Sequence, residues 1–111
     1  MKKNEELKDQ IIADIMEYFF ITRKTLNTDD SKYSNFVRRI AVFLIYNEAH
    51  YDHRTAGTFF KGDHSFSVKT PTIIREWLRN PKSLEAIKIN QFFDYYGYQR
   101  ESTDINNKEA A

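Results

Sequence analysis

The residues with the greatest potential for chemistry lie between His50 and Ser65, where three histidines and two aspartates occur close together. Such side chains can ligate a metal ion or transfer protons. A metal site needs three or four convergent ligands, however, and Asp52 and Asp63 are each better explained as helix N-caps. The chain also has no cysteine and no Gly-x-Ser-x-Gly nucleophile elbow. We therefore expect no metal site, no cofactor and no enzymatic activity.

The segment from Asp52 to Lys69 instead has the layout of a helix–turn–helix. A short helix, a tight turn containing Gly62 and a second helix follow one another directly, and the second helix opens on positions 63–67, which are polar except for Phe66. In this motif the second helix lies in the major groove of DNA, where its N-terminal side chains reach base edges and its free N–H groups attract phosphate. The pattern favours double-stranded DNA as the partner. Many helical hairpins of this spacing do not bind DNA, and Asp29 and Asp30 would disfavour phosphate, so the alternative is a protein-interaction module that keeps the fold but has lost DNA binding.

The charge distribution agrees with a polyanion-binding segment in the middle of the chain. The total net charge is +1, yet residues 22–82 contain eleven bases and six acids, a net charge of +5, between two acidic ends. Because surface potential depends on local clustering, this asymmetry is informative although the total is nearly neutral. The candidate phosphate contacts are Arg23, Lys24, Lys32, Arg38, Arg54, Lys61 and Lys69, of which Arg54 and Lys69 flank the turn.

Helices are predicted to position these residues, because the apolar residues recur at helical spacing almost throughout. Aromatic residues make up 15% of the chain, enough for a core, while three Gly and two Pro argue against a turn-rich β fold. The spacing predicts an all-α bundle of five to six helices, beginning with an amphipathic helix from Asn4 to Phe20. A short helix over Arg23 to Leu26 is capped by Thr22, and residues 27–34 form a loop. A buried helix then runs from about Phe36 to His50.

Two prolines and a glycine predict the boundaries of the remaining helices. Pro71 is expected to shorten or break the second helix of the motif and to start a fresh one, and Asn80-Pro81 is a second break. The last helix is expected to stop at Gly97. This assigns residues 1–97 to one helical domain and residues 98–111 to a polar, disordered tail.

The run from Arg38 to Ser65 resembles the C-terminal DNA-binding domain of the bacterial chromosomal replication initiator DnaA, and its stand-alone relatives in phage and mobile-element proteins. The resemblance covers about residues 8–78, and Asp63-His64-Ser65 is its most specific element. The matching positions in the run are Arg38, Ile40, Ala41, Phe43, Leu44, Gly57, Phe60, Asp63, His64 and Ser65, and upstream they are Tyr18, Phe19, Ile21 and Leu26.

This resemblance implies a Trp-repressor-like helix–turn–helix that reads duplex DNA in replication initiation, its regulation or transcription regulation. It also implies that residues 63–65 contact bases and backbone. Phe66 departs from the family pattern and is expected either to contact a thymine methyl group or to join the core. Asp29 and Asp30 stand in a loop that is basic in the family, and they should repel phosphate. The predicted DNA contacts are Lys32, Arg38, Arg54, Lys61, Asp63, His64, Ser65, Ser67 and Lys69.

The aromatic cluster from Phe92 to Tyr98 exceeds what one helix face can bury. We expect one face to close the bundle, while the other face either packs against the first helix or forms a homodimer contact. No apolar run approaches the roughly 20 residues that cross a bilayer. Acidic residues also follow the basic start of the chain where a signal peptide would be apolar, so the sequence predicts a cytoplasmic protein without a membrane partner.

Overall fold

The structure, a computed structural model, describes residues 2–60 and 64–98, with the backbone but not the side chains of His64 and Ser65. Over these residues the chain is all-α, as predicted, with six helices and no strand. The helices are α1 (Glu5–Phe19), α2 (Arg23–Thr28), α3 (Lys32–Ala49), α4 (His53–Thr58), α5 (His64–Arg79) and α6 (Leu84–Tyr96).

Local side-chain chemistry sets most helix starts. The side chains of Asn4, Thr22 and Asp52 each accept a hydrogen bond from the backbone N–H three residues later, which confirms the three predicted caps. Ser31 and Ser83 cap α3 and α6 in the same way. Asp63, predicted to cap α5, lies outside the described residues. Gly97 ends α6 with a φ of 90°, a left-handed conformation that glycine adopts without a Cβ clash.

Helix α3 is the centre of the bundle, as its apolar sequence predicts. It packs against α1, α2, α4 and α5, and seven of its apolar residues are completely inaccessible to solvent. Phe92 and Phe93 of α6 complete the core from the far end of the chain, and Tyr98 packs on Phe43 and Phe93. Tyr98, the last residue described, is thus partly buried against the core. The seven inaccessible α3 residues are Val37, Ile40, Ala41, Val42, Leu44, Ile45 and Ala49.

Two predicted boundaries are wrong. The loop expected over residues 27–34 is shorter, because α2 runs to Thr28 and α3 begins at Lys32. More importantly, α5 is continuous from His64 to Arg79 with Pro71 inside it. Proline disfavours a helix interior by about 3 kcal/mol relative to alanine. Tertiary packing on both sides of Pro71 outweighs this local preference: Ile74 is fully buried, and Phe66 and Trp77 pack against the core.

Candidate nucleic-acid interface

Helices α4 and α5 form a compact pair packed on α3. Ala56 and Gly57 of α4 are buried, and the N–H groups of Phe59 and Phe60 donate to the carbonyls of Ala56 and Gly57, which ends the helix tightly. Only five residues separate α4 from α5. The structure thus contains both helices of the predicted helix–turn–helix, whereas Lys61, Gly62 and Asp63, predicted to form or follow the turn, lie outside the described residues.

Arg39 of α3 anchors the N-terminal half of α5. Its Nη1 donates to the carbonyl of Phe66 at 3.0 Å and to Oγ1 of Thr70 at 3.1 Å. Its guanidinium also lies 3.9 Å from the centre of the Phe66 ring, a cation–π distance. Burial lowers the pKa of Arg39 from its ordinary value. Of the two roles expected for Phe66, these contacts favour the second, because its ring lies against Arg39 of α3 and packs on the core.

Arg38 was predicted to contact phosphate, and the structure corrects this. Its side chain is 1% exposed, and it donates to the carbonyl of Leu26 at 2.8 Å, to the carbonyl of Asp29 at 2.6 Å and to Oδ1 of Asn35. Desolvation lowers the pKa of Arg38, while nearby Asp30 and Asp29 oppose that shift. Arg38 therefore ties the end of α2 to α3 and has no surface to offer to DNA.

Ser67 is a second correction, because it is 0% exposed and lies on the inner face of α5. It precedes the buried Ile74 by seven residues, two helical turns, so both point towards the core. Because Pro71 was expected to break the helix, the spacing between Ser67 and Ile74 gave no prediction of burial. The helix in fact continues through Pro71 and keeps both residues on one face. A buried hydroxyl at this position cannot reach a DNA base.

The solvent-facing side of α5 presents three cations, Lys69, Arg75 and Arg79, among the six exposed residues of its described part. Lys69 is exposed, as its predicted role requires. Val68, Thr72 and Arg75 share this face and are also exposed, although they are not among the predicted contacts; the uninterrupted helical period is the signal that identifies them. Near the end of the helix Arg79 pairs with Glu76 at 3.4 Å. The exposed residues of this face are Val68, Lys69, Thr72, Arg75, Glu76 and Arg79.

The remaining candidate cations have different surroundings. Lys32, at the start of α3, and Lys24 and Arg54 are exposed. Arg23 donates to the carbonyl of Phe59 at 3.1 Å and so joins α2 to the end of α4. The side chains of His64 and Ser65, and all of Lys61 and Asp63, lie outside what the structure describes. The structure therefore places Lys69 on α5 and Arg54 on α4, the two helices of the pair. The base contacts of residues 63–65 stay a prediction.

The acidic loop before α3 is built into the fold. Asp29 accepts hydrogen bonds from the N–H of Ser31 at 3.3 Å and from Oγ of Ser34 at 2.7 Å. Hydrogen bonds from the side chains of Ser31 and, next in size, Ser34 lower the pKa of Asp29 below its ordinary value, so Asp29 is ionised at neutral pH. The predicted negative charge beside the start of α3 is therefore present at neutral pH, and the same carboxylate orders the α2–α3 loop through its hydrogen bonds.

His53, at the start of α4, stacks on Tyr46 with ring centres 3.6 Å apart. Its Nε2 is buried without a hydrogen-bond partner. Among the described residues no group of three or more His, Cys, Asp or Glu is arranged to hold a metal ion. A shallow pocket of about 380 Å³ lies beside this pair, and Asp52, one of its lining residues, is already engaged as the α4 cap.

The environment of His53 makes acid stability a testable property. Desolvation lowers the pKa of His53, against a smaller opposing effect of Asp52. The folded state therefore prefers the neutral ring, and its contribution to stability is complete above the unfolded pKa of about 6.5 and is lost as the pH falls below it. We expect urea titrations to show a drop in the free energy of unfolding between pH 7 and pH 5 that is smaller in His53→Phe, which keeps a ring on Tyr46. An equal drop in both proteins would contradict this.

Comparison with known proteins adds no relative: no protein-family model matches the chain, and no curated protein or solved structure matches it significantly. Within the described residues, none of the helices is both long enough and apolar enough to cross a membrane.

Proposed function

We propose that this protein binds double-stranded DNA through the α4–α5 pair, with α5 in the major groove. One observation carries the proposal: α5 has one face packed against the rest of the bundle and an opposite face exposed to solvent. Its inner face is locked to α3 by Arg39 and by the buried Ile74, while its outer face presents Lys69, Thr72 and Arg75 to solvent. A rigidly held helix with an exposed cationic face, preceded closely by a short helix, is the arrangement that helix–turn–helix proteins use.

The electrostatic part of the proposal rests on cations of both helices. Lys69 on α5 and Arg54 on α4 contact phosphates, with Lys61 of the turn and Lys32 of α3 as further contributors, all within the basic middle of the chain. The ionised Asp29 near the start of α3 opposes phosphate at that end. Affinity is therefore centred on the α4–α5 pair.

Sequence readout is assigned to the head of α5. The resemblance to the C-terminal domain of DnaA supports Asp63, His64 and Ser65 as contacts to bases and backbone. Positions 64 and 65 lie in the first turn of α5, and the first turn of a recognition helix approaches base edges. On this basis we propose a role for the protein in replication initiation, its regulation or transcription regulation, in the cytoplasm of a bacterium or as a phage or mobile-element product.

A salt titration with random-sequence duplex DNA tests the proposal. Each phosphate neutralised by a lysine or arginine releases counterions, so the logarithm of affinity should fall linearly with the logarithm of salt concentration, by about 0.9 per contact. We expect a slope of about −2 to −4, measured by fluorescence anisotropy between 50 and 300 mM salt, that is, about two to four contacts at this rate. Absence of binding at the lowest salt concentration would refute DNA binding.

The exposed apolar side chains of α6 favour a second candidate, a protein-interaction role. Leu84 is 63% exposed, Ile87 42% and Tyr95 50%, and by helical spacing the three lie along one side of α6. The homodimer contact proposed for residues 92–98 can use only part of that region, because Phe92 and Phe93 are buried in the core. Sedimentation equilibrium of the wild-type protein and of Tyr95→Ala distinguishes a dimer at this face from a monomer.

A further inference from the structure

Val68 is an aliphatic residue exposed on the functional face of α5. It is 49% exposed, whereas the other large apolar side chains of the described part of α5 are buried or half-buried. Its immediate neighbours on that face are the cationic Lys69 and, one turn later, the hydroxyl-bearing Thr72. An isolated surface valine is ordinary in itself, but Val68 is distinguished by its position on the exposed face of α5.

Its position is the part of the helix that enters the groove. Val68 is the fifth residue of α5, one turn after position 64 and on the same side of the helix as Lys69 and Thr72. The contacts of Arg39 with Phe66 and Thr70 lie on the opposite side of α5, two residues before and two residues after Val68. The backbone that bears Val68 is thus held firmly against α3. A β-branched side chain in a helix has in addition one strongly preferred rotamer.

We propose that Val68 contacts the C5 methyl group of a thymine and so makes the protein select an A·T pair at one position of its site. This inference rests on the proposed function, since it takes α5 to lie in the major groove. The thymine methyl is the apolar group that base pairs present in that groove, and the other base-pair groups there are hydrogen-bond donors and acceptors. Removing one methyl group from water corresponds to about four-fold in affinity.

The test removes that methyl group from the DNA and the valine from the protein. Duplexes that bind are first selected from a random pool, and each thymine of the selected site is then replaced, one at a time, by deoxyuridine. For the wild-type protein we expect one position at which deoxyuridine weakens binding about four-fold. In Val68→Ala the thymine and deoxyuridine duplexes should bind equally at that position.

The controls separate the inference from the function on which it rests. Phe20→Ala trims an apolar side chain that is 96% exposed at the end of α1, away from both proposed surfaces, and should keep the four-fold preference. If the selected DNA binds but no thymine position shows a methyl effect that depends on Val68, the inference is overturned while DNA binding stands. If no duplex is selected or bound at low salt, the proposed function is overturned and the inference with it. Circular dichroism of Val68→Ala shows whether the fold is intact.

Discussion

Replacing Arg38 by alanine is expected to lower the free energy of unfolding by about 2–5 kcal/mol, because two carbonyls each lose a charged donor, at about 1–3 kcal/mol apiece for a buried group. The variant leaves the carbonyls of Leu26 and Asp29 without the donors that now reach them at 2.8 and 2.6 Å. It also opens a cavity in a region where the side chain is 1% exposed. Urea denaturation followed by circular dichroism measures the change.

Two further variants test the reason for this loss. Arg38→Lys retains the charge but cannot reproduce the bonds of the planar guanidinium, so it should recover only part of the stability. Lys24→Ala removes an exposed cation from neighbouring α2 and should change the free energy of unfolding by less than about 0.5 kcal/mol. A loss below about 1 kcal/mol in Arg38→Ala would show that the network contributes little net stability.

Replacing Lys69 by alanine is expected to weaken duplex binding about ten-fold at 0.1 M salt and to reduce the salt slope by about 0.9, the value for one lost phosphate contact. Arg54→Ala should have a similar effect. Because Lys69 and Arg54 stand on different helices of the pair, the double variant should lose about a hundred-fold. Fluorescence anisotropy with the same random duplex at several salt concentrations measures both quantities.

Lys82→Ala is the matched control for these variants. Lys82 is exposed and follows the far end of α5, which ends about 15 Å from Lys69 along the helix axis, so its loss removes the same charge away from the proposed contacts. Its salt slope should equal that of the wild-type protein. If Lys69→Ala, Arg54→Ala and Lys82→Ala weaken binding equally, binding follows net charge alone and α5 is not specifically engaged.

The features that the sequence predicted correctly are those controlled by neighbouring residues. Asn4, Thr22 and Asp52 cap helices because a short polar side chain reaches the N–H three positions away. Gly97 ends α6 because glycine accepts a positive φ. The middle of α3 is buried because its apolar residues lie on more than one side of the helix, so one packed face would not remove them all from water.

The errors concern residues whose role depends on distant contacts. Pro71 was predicted to break α5 on local propensity, yet the helix is held on both sides by packing against α3 and the core. Arg38 was predicted to be a surface cation. It lies on the inner face of α3, because it precedes the buried Ala41 and Ile45 by three and seven residues, about one and two helical turns. Its carbonyl partners at Leu26 and Asp29 come from a different helix and loop.

The all-α class, most helix ends and the cationic character of the middle segment follow from the sequence alone, since caps, periodicity and charge are properties of residues near one another. Which cations reach solvent depends on how the helices pack. That packing places Arg38 inside, uses Arg39 to hold α5, and leaves Lys69 and Arg75 exposed. The physical reason is that a guanidinium can be buried when carbonyls surround it, and those carbonyls come together only when the chain folds.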